Sequence, residues 1–512
     1  MKNIVVISTI LLFTISSCKK SFIELRPEDQ YSAATFYRTE PQFRQAIAAA
    51  YVPLRDLMLN DYFTSEMRSD NTHYQPYPTN RGTAQVHREN IADFTDNPTN
   101  SYTNAVYFHC YSGISKANIV IGRLKGAEIA EAARNDIEGQ AKFLRAWNYF
   151  KLLKYFGAVP LFLKEVTEAE EAFLPRSTSE EVYNQIIADA KDAITQLAIP
   201  AKFPQTGQAT KGSATMLLAD VYATQKKYAE AEVLLATLPG MGYSLLPNYA
   251  DVFSTTNKNN RESLFEVQYL EGLQGGQQSS FIYLFLPRTT STTLITGVAA
   301  NNTGNAGWNI PTQDMVNAYE PNDKRKDISI GIAEGTANAS DLFVISANKS
   351  VVNYTPAAGK TGVPYIKKYL HTPHVAPNNT NDNWPIYRYA DALLLLAEAQ
   401  NEQGKTGAAV ANLNLVRARA GITPTPETNQ NLLKDIILHE RRVELAFENH
   451  RWDDLVRSGK AIEIMNAHGT TLKQQYSLTP DSYNVTIARL LYPIPQSERE
   501  LNPSLTQNPG YF

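Results

Sequence analysis

The densest run of ionisable side chains lies between His439 and Arg457. There Glu440, Glu444 and Glu448 recur every four residues beside Arg441 and Arg442, with Arg451, Asp453, Asp454 and Arg457 following. On a helix, that spacing stacks the three carboxyl groups on one face with arginine on its flank. A carboxylate pair suited to glycoside hydrolysis has to stand on both sides of a sugar, in environments that set the two groups apart. A single stripe with arginines beside it fits another role better: i,i+3 and i,i+4 ion pairs of about 0.2–0.5 kcal/mol each, half-buried and locking helix to helix. His439-Glu440 opens like a zinc-protease helix, but Val443 stands where the second histidine belongs. His371 and His374 have no accompanying ligand pattern, which favours a loop over a metal site. His109 and Cys110 are neighbours and point apart on a helix, so Cys110 reads as a buried core thiol. Gly272–Gly276 lacks both the lysine and the order of a phosphate loop. Binding is favoured over catalysis, with no metal and no cofactor implied.

A different chemistry is spread over three loop-like segments. Residues 66–77 combine Arg68, Asp70, Asn71, His73, Tyr74 and Tyr77; residues 92–100 hold Phe94, Asp96 and Asn97; and Asn301–Trp308 is an Asn/Gly-rich run ending in one tryptophan. Aromatic planes take the C–H face of a sugar ring while polar side chains take its hydroxyls, and by analogy with base stacking one platform contributes about 1–3 kcal/mol. The chain holds 28 Tyr against 4 Trp. Its net charge of -3, from 48 Lys+Arg and 51 Asp+Glu, gives no pull toward nucleic acid or other polyanions.

The elements that position these segments are mostly helical. Apolar periodicity marks two helix-rich blocks, roughly 40–240 and 385–465, around a weakly periodic Gly/Asn/Thr-rich middle from about Tyr243 to Trp384. Phe43, Ile47, Ala50 and Tyr51 share one helix face, as do Ile137, Gln140, Leu144 and Trp147, and Ser177–Glu181 caps a helix from Val182 to Leu197. In the middle, Arg261–Tyr269 alternates like a short strand. The stretch Ala214–Leu238 is similar to Ala392–Val416, with Ala219 on Ala397, Ala231 on Ala409 and Leu235 on Leu413. Both read as tetratricopeptide-like helix pairs, brought together around the intervening segment. At the start, Lys2 precedes the apolar run Ile4–Ile15, too short for the roughly 20 apolar residues that span a bilayer. Ile15-Ser16-Ser17-Cys18 resembles a lipobox, which makes 1–17 a signal peptide and Cys18 the site of lipid attachment. Each buried CH₂ contributes about 0.8 kcal/mol, so multiple acylation gives a stable anchor. With Cys18 lipidated, Cys110 alone remains and the core must hold the fold.

Several segments, in order, resemble the SusD/RagB family of outer-membrane glycan-binding lipoproteins. They are Cys18–Pro27, Tyr111–Asn118, RYADALLLLAEA at 388–399, LNLVRARAG at 413–421, HERRVELAFE at 439–448, RWDDLVR at 451–457, LYPIP at 491–495 and QNPGY at 507–511. The resemblance runs from Cys18 to Phe512 and implies a mainly α fold, a single domain over 18–512. It would consist of an N-terminal helical part with ligand loops (about 18–240), a loop-rich insert (about 243–384) and a C-terminal helical part (about 385–512), built on tetratricopeptide-like helix pairs. It further implies a non-enzymatic protein at the cell surface, anchored in the outer membrane through Cys18, that captures oligosaccharide or polysaccharide for a TonB-dependent outer-membrane transporter. Carried over by position, the glycan contacts are expected at Arg68, Asp70, Tyr74, Phe94 and Asn97, with Tyr283 and Trp308 from the middle of the chain.

Overall fold

The computed structural model describes residues 36–76, 82–272, 277–338 and 342–511. The signal segment, Cys18 and Tyr77 lie outside the described residues. Helix α1 (Glu40–Thr64) starts from a capping box in which Gln42 accepts the backbone N–H of Thr39, and it buries Phe43, Ile47 and Ala50 completely. After α2 (Thr83–Ala92), helix α3 (Ser101–Leu124) begins where the Asn100 side chain accepts the N–H groups of Tyr102 and Thr103. Helix α4 (Glu131–Phe156) buries Ile137, Gln140, Leu144 and Trp147, the face its periodicity predicts. Thr178 and Glu181 form the capping box of α5 (Ser179–Gln196), three residues ahead of the expected start at Val182.

Helices α6 (Lys211–Thr224) and α7 (Tyr228–Leu235) make one antiparallel pair, and α8 (Tyr389–Glu402) with α9 (Thr406–Ala420) another. Helix α7 packs directly on α8, so the two similar stretches stand side by side despite the segment between them. Ala219, Ala397, Ala231, Ala409, Leu235 and Leu413 are all buried, which explains the similarity: small residues let each pair cross closely. Helices α10 (Gln430–Glu444), α11 (Arg451–Ser458) and α12 (Ala461–Tyr476) complete the C-terminal part. The fold is mainly α, as expected.

The middle holds the described strands, save for β1 (Thr72–His73) ahead of it and the last, which runs from its end at Trp384 to Arg388. Strand β2 (Ser263–Val267) falls within the predicted run, but its alternation does not separate a wet face from a dry one. All five residues are buried, and Glu266 accepts a hydrogen bond from Asn383 Nδ2 (2.8 Å) inside the protein. Next comes the short β3 (Ile310–Pro311); then β4 (Ile330–Ala337) is the centre of a three-stranded antiparallel sheet with β5 (Phe343–Ser350) and β6 (Thr361–Ile366), while β7 (Trp384–Arg388) pairs with β2.

The carboxylate stripe departs from expectation. Glu440, Glu444 and Glu448 are fully rather than half-buried, and their partners come from distant segments. Arg325 donates to Glu440 (2.6 Å) and Glu444 (3.1 Å); Arg388 binds Glu262 (2.8 Å), Glu444 (3.0 Å) and Glu448 (2.6 Å); Arg417 reaches Glu440 and Arg419 reaches Glu444; Lys368 pairs with Glu448 (2.7 Å). The flanking Arg441 turns instead to Asp391 and Asp454, and Arg442 to Asp314. Burial by itself would raise the Glu444 carboxyl, but Arg419, Arg388 and Arg325 outweigh it and push the group down to about 2. The cluster therefore joins the middle region to α9 and α10, a wider junction than the half-buried helix-to-helix lock that the spacing suggested.

Candidate functional site

The predicted loops do converge. Strand β1 pairs antiparallel with β3, placing Thr72 opposite Pro311 and His73 opposite Ile310. Just beyond, Gln75 donates its backbone N–H to Gly307 O (2.6 Å) and its side chain accepts the N–H of Arg288 (2.9 Å). Gly307 has φ +81°, and a Cβ there would meet the Gln75 side chain at 3.0 Å; the turn lets the two strands of chain lie this close.

Convergence turns the predicted contacts inward, however, and six of the seven candidates are buried. Arg68 binds Asp96 Oδ1 (2.8 Å) and Arg489 O (2.8 Å) with its guanidinium over the rings of Phe94 and Tyr492. Asp70 accepts a two-pronged pair of bonds from Arg451 (2.7 and 2.8 Å); burial opposes its charge, but Arg451 and Arg442 hold it well below the usual carboxylate range. Tyr74 donates to Asp93 Oδ2 (2.9 Å), and burial, reinforced by that carboxylate, keeps its hydroxyl neutral. Phe94 packs on Trp452 and Tyr483. Tyr283 faces His374 (3.0 Å) in a separate apolar cluster, and Trp308 packs edge-on to Phe63. No sugar ring reaches these six side chains; Arg68, Asp70, Tyr74, Phe94 and Trp308 form the floor, and Tyr283 stands apart from it. Asn97 is exposed, but its Oδ1 already accepts from Thr99 N–H (2.9 Å) and hydroxyl (2.7 Å), closing the turn before α3.

The side chains that face outward over this floor are others. Arg88 of α2 lays its guanidinium over three rings, Phe63 (4.6 Å), Trp308 (4.8 Å) and Tyr102 (4.9 Å), and donates to Asn305 Oδ1 (2.9 Å) on the exposed side. Tyr102 is partly exposed; burial raises its hydroxyl and the Arg88 cation holds it back. His87 accepts the backbone N–H of Ser101 at Nδ1 (3.0 Å), which leaves the proton of the neutral ring on Nε2, a donor toward the surface. Burial lowers its pKa, so the ring stays neutral around pH 7. One cation, one aromatic ring, an amide and an imidazole are thus linked through Arg88 and the start of α3, residue types that can offer a plane for C–H groups and directional partners for hydroxyl groups. These residues were not singled out from sequence. The available signal was the polar run His87-Arg88-Glu89-Asn90 on a helix with few apolar positions. Among the described residues no group of three or more His, Cys, Asp or Glu is placed to hold a metal ion. His371 binds Asp382 and His374 binds Tyr283, while Cys110 is buried.

A family model described as the SusD family matches residues 239–511, and a second, described as starch-binding and associating with the outer membrane, matches 22–223. The chain belongs to the SusD family. The resemblance carried by 388–457 and the C-terminal motifs is thereby confirmed. Among relatives of this SusD-family chain, a SusD-like protein of Formosa agariphila is 28% identical over 100% of both chains. The starch-binding protein SusD of Bacteroides thetaiotaomicron is 24% identical over 81% of this chain and 79% of its own. Among solved structures, a laminarin-binding SusD-like protein superposes with a TM-score of 0.74 at 26% identity, covering 93% of this chain and 100% of that one. Surface glycan-binding protein A from Bacteroides uniformis does so with a TM-score of 0.72 at 25% identity, covering 92% and 99%. The family is one of binding proteins, and its known members use no cofactor.

Proposed function

We propose that this chain is a glycan-binding lipoprotein of the outer membrane, displayed at the cell surface, that captures an oligosaccharide or polysaccharide on the rim around Arg88 and delivers it to a TonB-dependent transporter. The observation that carries the site is the stack of Arg88 on Phe63, Tyr102 and Trp308 with Asn305 and His87 beside it. The floor of Arg68, Asp70, Tyr74, Phe94 and Trp308 acts by holding that rim in place, with Asn97 at its edge. Glycan as ligand is supported by the named ligands of relatives, laminarin and starch. The anchor is supported by the apolar run Ile4–Ile15 ending at Cys18, and the outer membrane by the description of the family that matches the N-terminal half. A binding rather than hydrolytic role fits the state of Glu440, Glu444 and Glu448, which are sealed in ion pairs out of reach of a sugar.

Retention on immobilised polysaccharides tests the proposal, with laminarin and starch included in the set. Saturable binding with no sugar released is expected. Cleavage products on prolonged incubation would make the protein a hydrolase. Retention of a barrel protein with no polysaccharide bound would make it a helical scaffold.

A further inference from the structure

On the side of α3 away from α1, Tyr107, Tyr111 and Ile114 form the floor of a groove of about 540 Å³ whose walls include Phe162, Phe173 and Leu501. Phe108 beside it is 62% exposed, Phe173 50% and Leu501 70%. Apolar side chains predominate in its lining, with Ser115, Asn118, Lys164, Glu498 and Asn502 as polar members, and it shares no lining residue with the Arg88 rim.

The described chain starts next to this groove. Tyr37 lies under the guanidinium of Arg123 (5.9 Å), and Arg123 binds Glu165 through two hydrogen bonds (2.8 and 2.9 Å). Glu165 sits between Lys164 and Val166, which line the groove, and Asn118 of α3 ties the same wall in place through Phe162 O (2.9 Å). Arg123 is about 7.5 Å along the helix from Asn118, and the groove from Tyr107 to Asn118 runs about 16 Å. The stretch from Leu25 to Phe36 spans up to about 36 Å when extended, enough to reach any point of it. The chain ahead of Phe36 also carries apolar side chains to match: Phe22, Ile23 and Leu25 stand around Glu24, with Lys19, Lys20 and Arg26 balanced by Glu24, Glu28 and Asp29.

We propose that Phe22–Leu25 of this chain's own N-terminal segment dock in the groove beside α3, with Phe22, Ile23 and Leu25 filling its apolar lining. Tethering through the intervening residues places the segment at a local concentration in the millimolar range, so modest apolar contacts suffice to fill the groove. The docking does not depend on lipidation. If Cys18 is the anchor proposed above, docking leaves only Lys19–Ser21 between lipid and body and fixes which side of the molecule faces the membrane.

The test uses the full chain with p-benzoylphenylalanine replacing Phe22, irradiated and mapped by mass spectrometry. The expected product is an intramolecular adduct on 107–118, 160–166 or 498–505, and it should fall about tenfold or more in the Phe173→Asp/Leu501→Asp variant. Both substituted side chains are half or more exposed, so the fold should persist, which circular dichroism checks. Adducts scattered over other surfaces, adducts joining two copies, adducts to lipid or detergent alone, or a yield unchanged by the two aspartates would each overturn the proposal.

Discussion

Two regions of this protein are built around arginine, and they use it in opposite ways. At the junction of the middle region with α9 and α10, Arg388 donates to Glu262, Glu444 and Glu448, and every donor group is engaged in a dry interior. At the surface, Arg88 rests on the faces of three aromatic rings and gives a hydrogen bond to one amide, that of Asn305. A guanidinium surrounded by carboxylates is fixed and closed to ligands, because removing any partner leaves a buried charge uncompensated. A guanidinium held by ring faces can keep one end at the surface: Arg88 Nε is buried among the rings, while Nη1, which meets Asn305, lies where a hydroxyl group can approach. The contrast separates a cluster that holds the fold from one that presents chemistry.

Breaking the closed cluster should have the largest effect. Glu444→Gln leaves Arg325, Arg388 and Arg419 facing one another with a carboxylate missing, and a loss of about 3–5 kcal/mol is expected in denaturant unfolding. An unchanged midpoint would mean that the cluster does not hold the middle region to α10. Next in size, Arg88→Ala should weaken glycan binding by about 1–3 kcal/mol, with Arg88→Lys in between because an ammonium lacks the planar fork. If binding is unchanged while stability falls, Arg88 belongs with Arg388 and the contrast fails. Tyr74→Phe removes a buried hydrogen bond to Asp93 and should cost about 0.5–1.5 kcal/mol of stability while affinity stays within twofold. Equal losses in both would place Tyr74 in contact with ligand.

The smallest effect concerns pH. The folded-state pKa of His87 lies below its ordinary value, so the unfolded chain takes up the proton first, and the neutral ring with its Nε2 donor persists as pH falls to the ordinary histidine range. Binding should be level between pH 8 and pH 7 and decline only as the pH drops below about 6.5, when protonation ends the acceptance of the Ser101 N–H at Nδ1. His87→Asn should flatten that decline; a wild-type profile already flat to pH 5 would remove His87 from the site.

The helices were legible because their signals are local. The cap at Thr178 and the faces of Phe43 and Ile137 depend on residues within one or two turns. That the loops ahead of α3 and one from the middle of the chain share a site was legible only through the family resemblance. The direction of their side chains was not. Trp308 follows an Asn/Gly-rich run that suggests an exposed loop, yet the pairing of β1 with β3 and the positive φ of Gly307 turn its ring into the core. Arg88 gave no periodic signal, and its surroundings come from Phe63, Tyr102 and Trp308, distant in sequence and joined only by the fold. The same reason hid the partners of Glu440 and Glu444: Arg325 lies more than a hundred residues away, in a segment with weak patterning.

The most direct test of the account is calorimetric titration of the retained glycan into Asn305→Ala beside the native chain. Asn305 is exposed and meets Arg88 at the centre of the rim, so its loss touches the site and spares the core. An affinity lower by about tenfold with an unchanged thermal midpoint is predicted. Native affinity in both Asn305→Ala and Arg88→Ala would contradict the assignment of the rim as the binding surface.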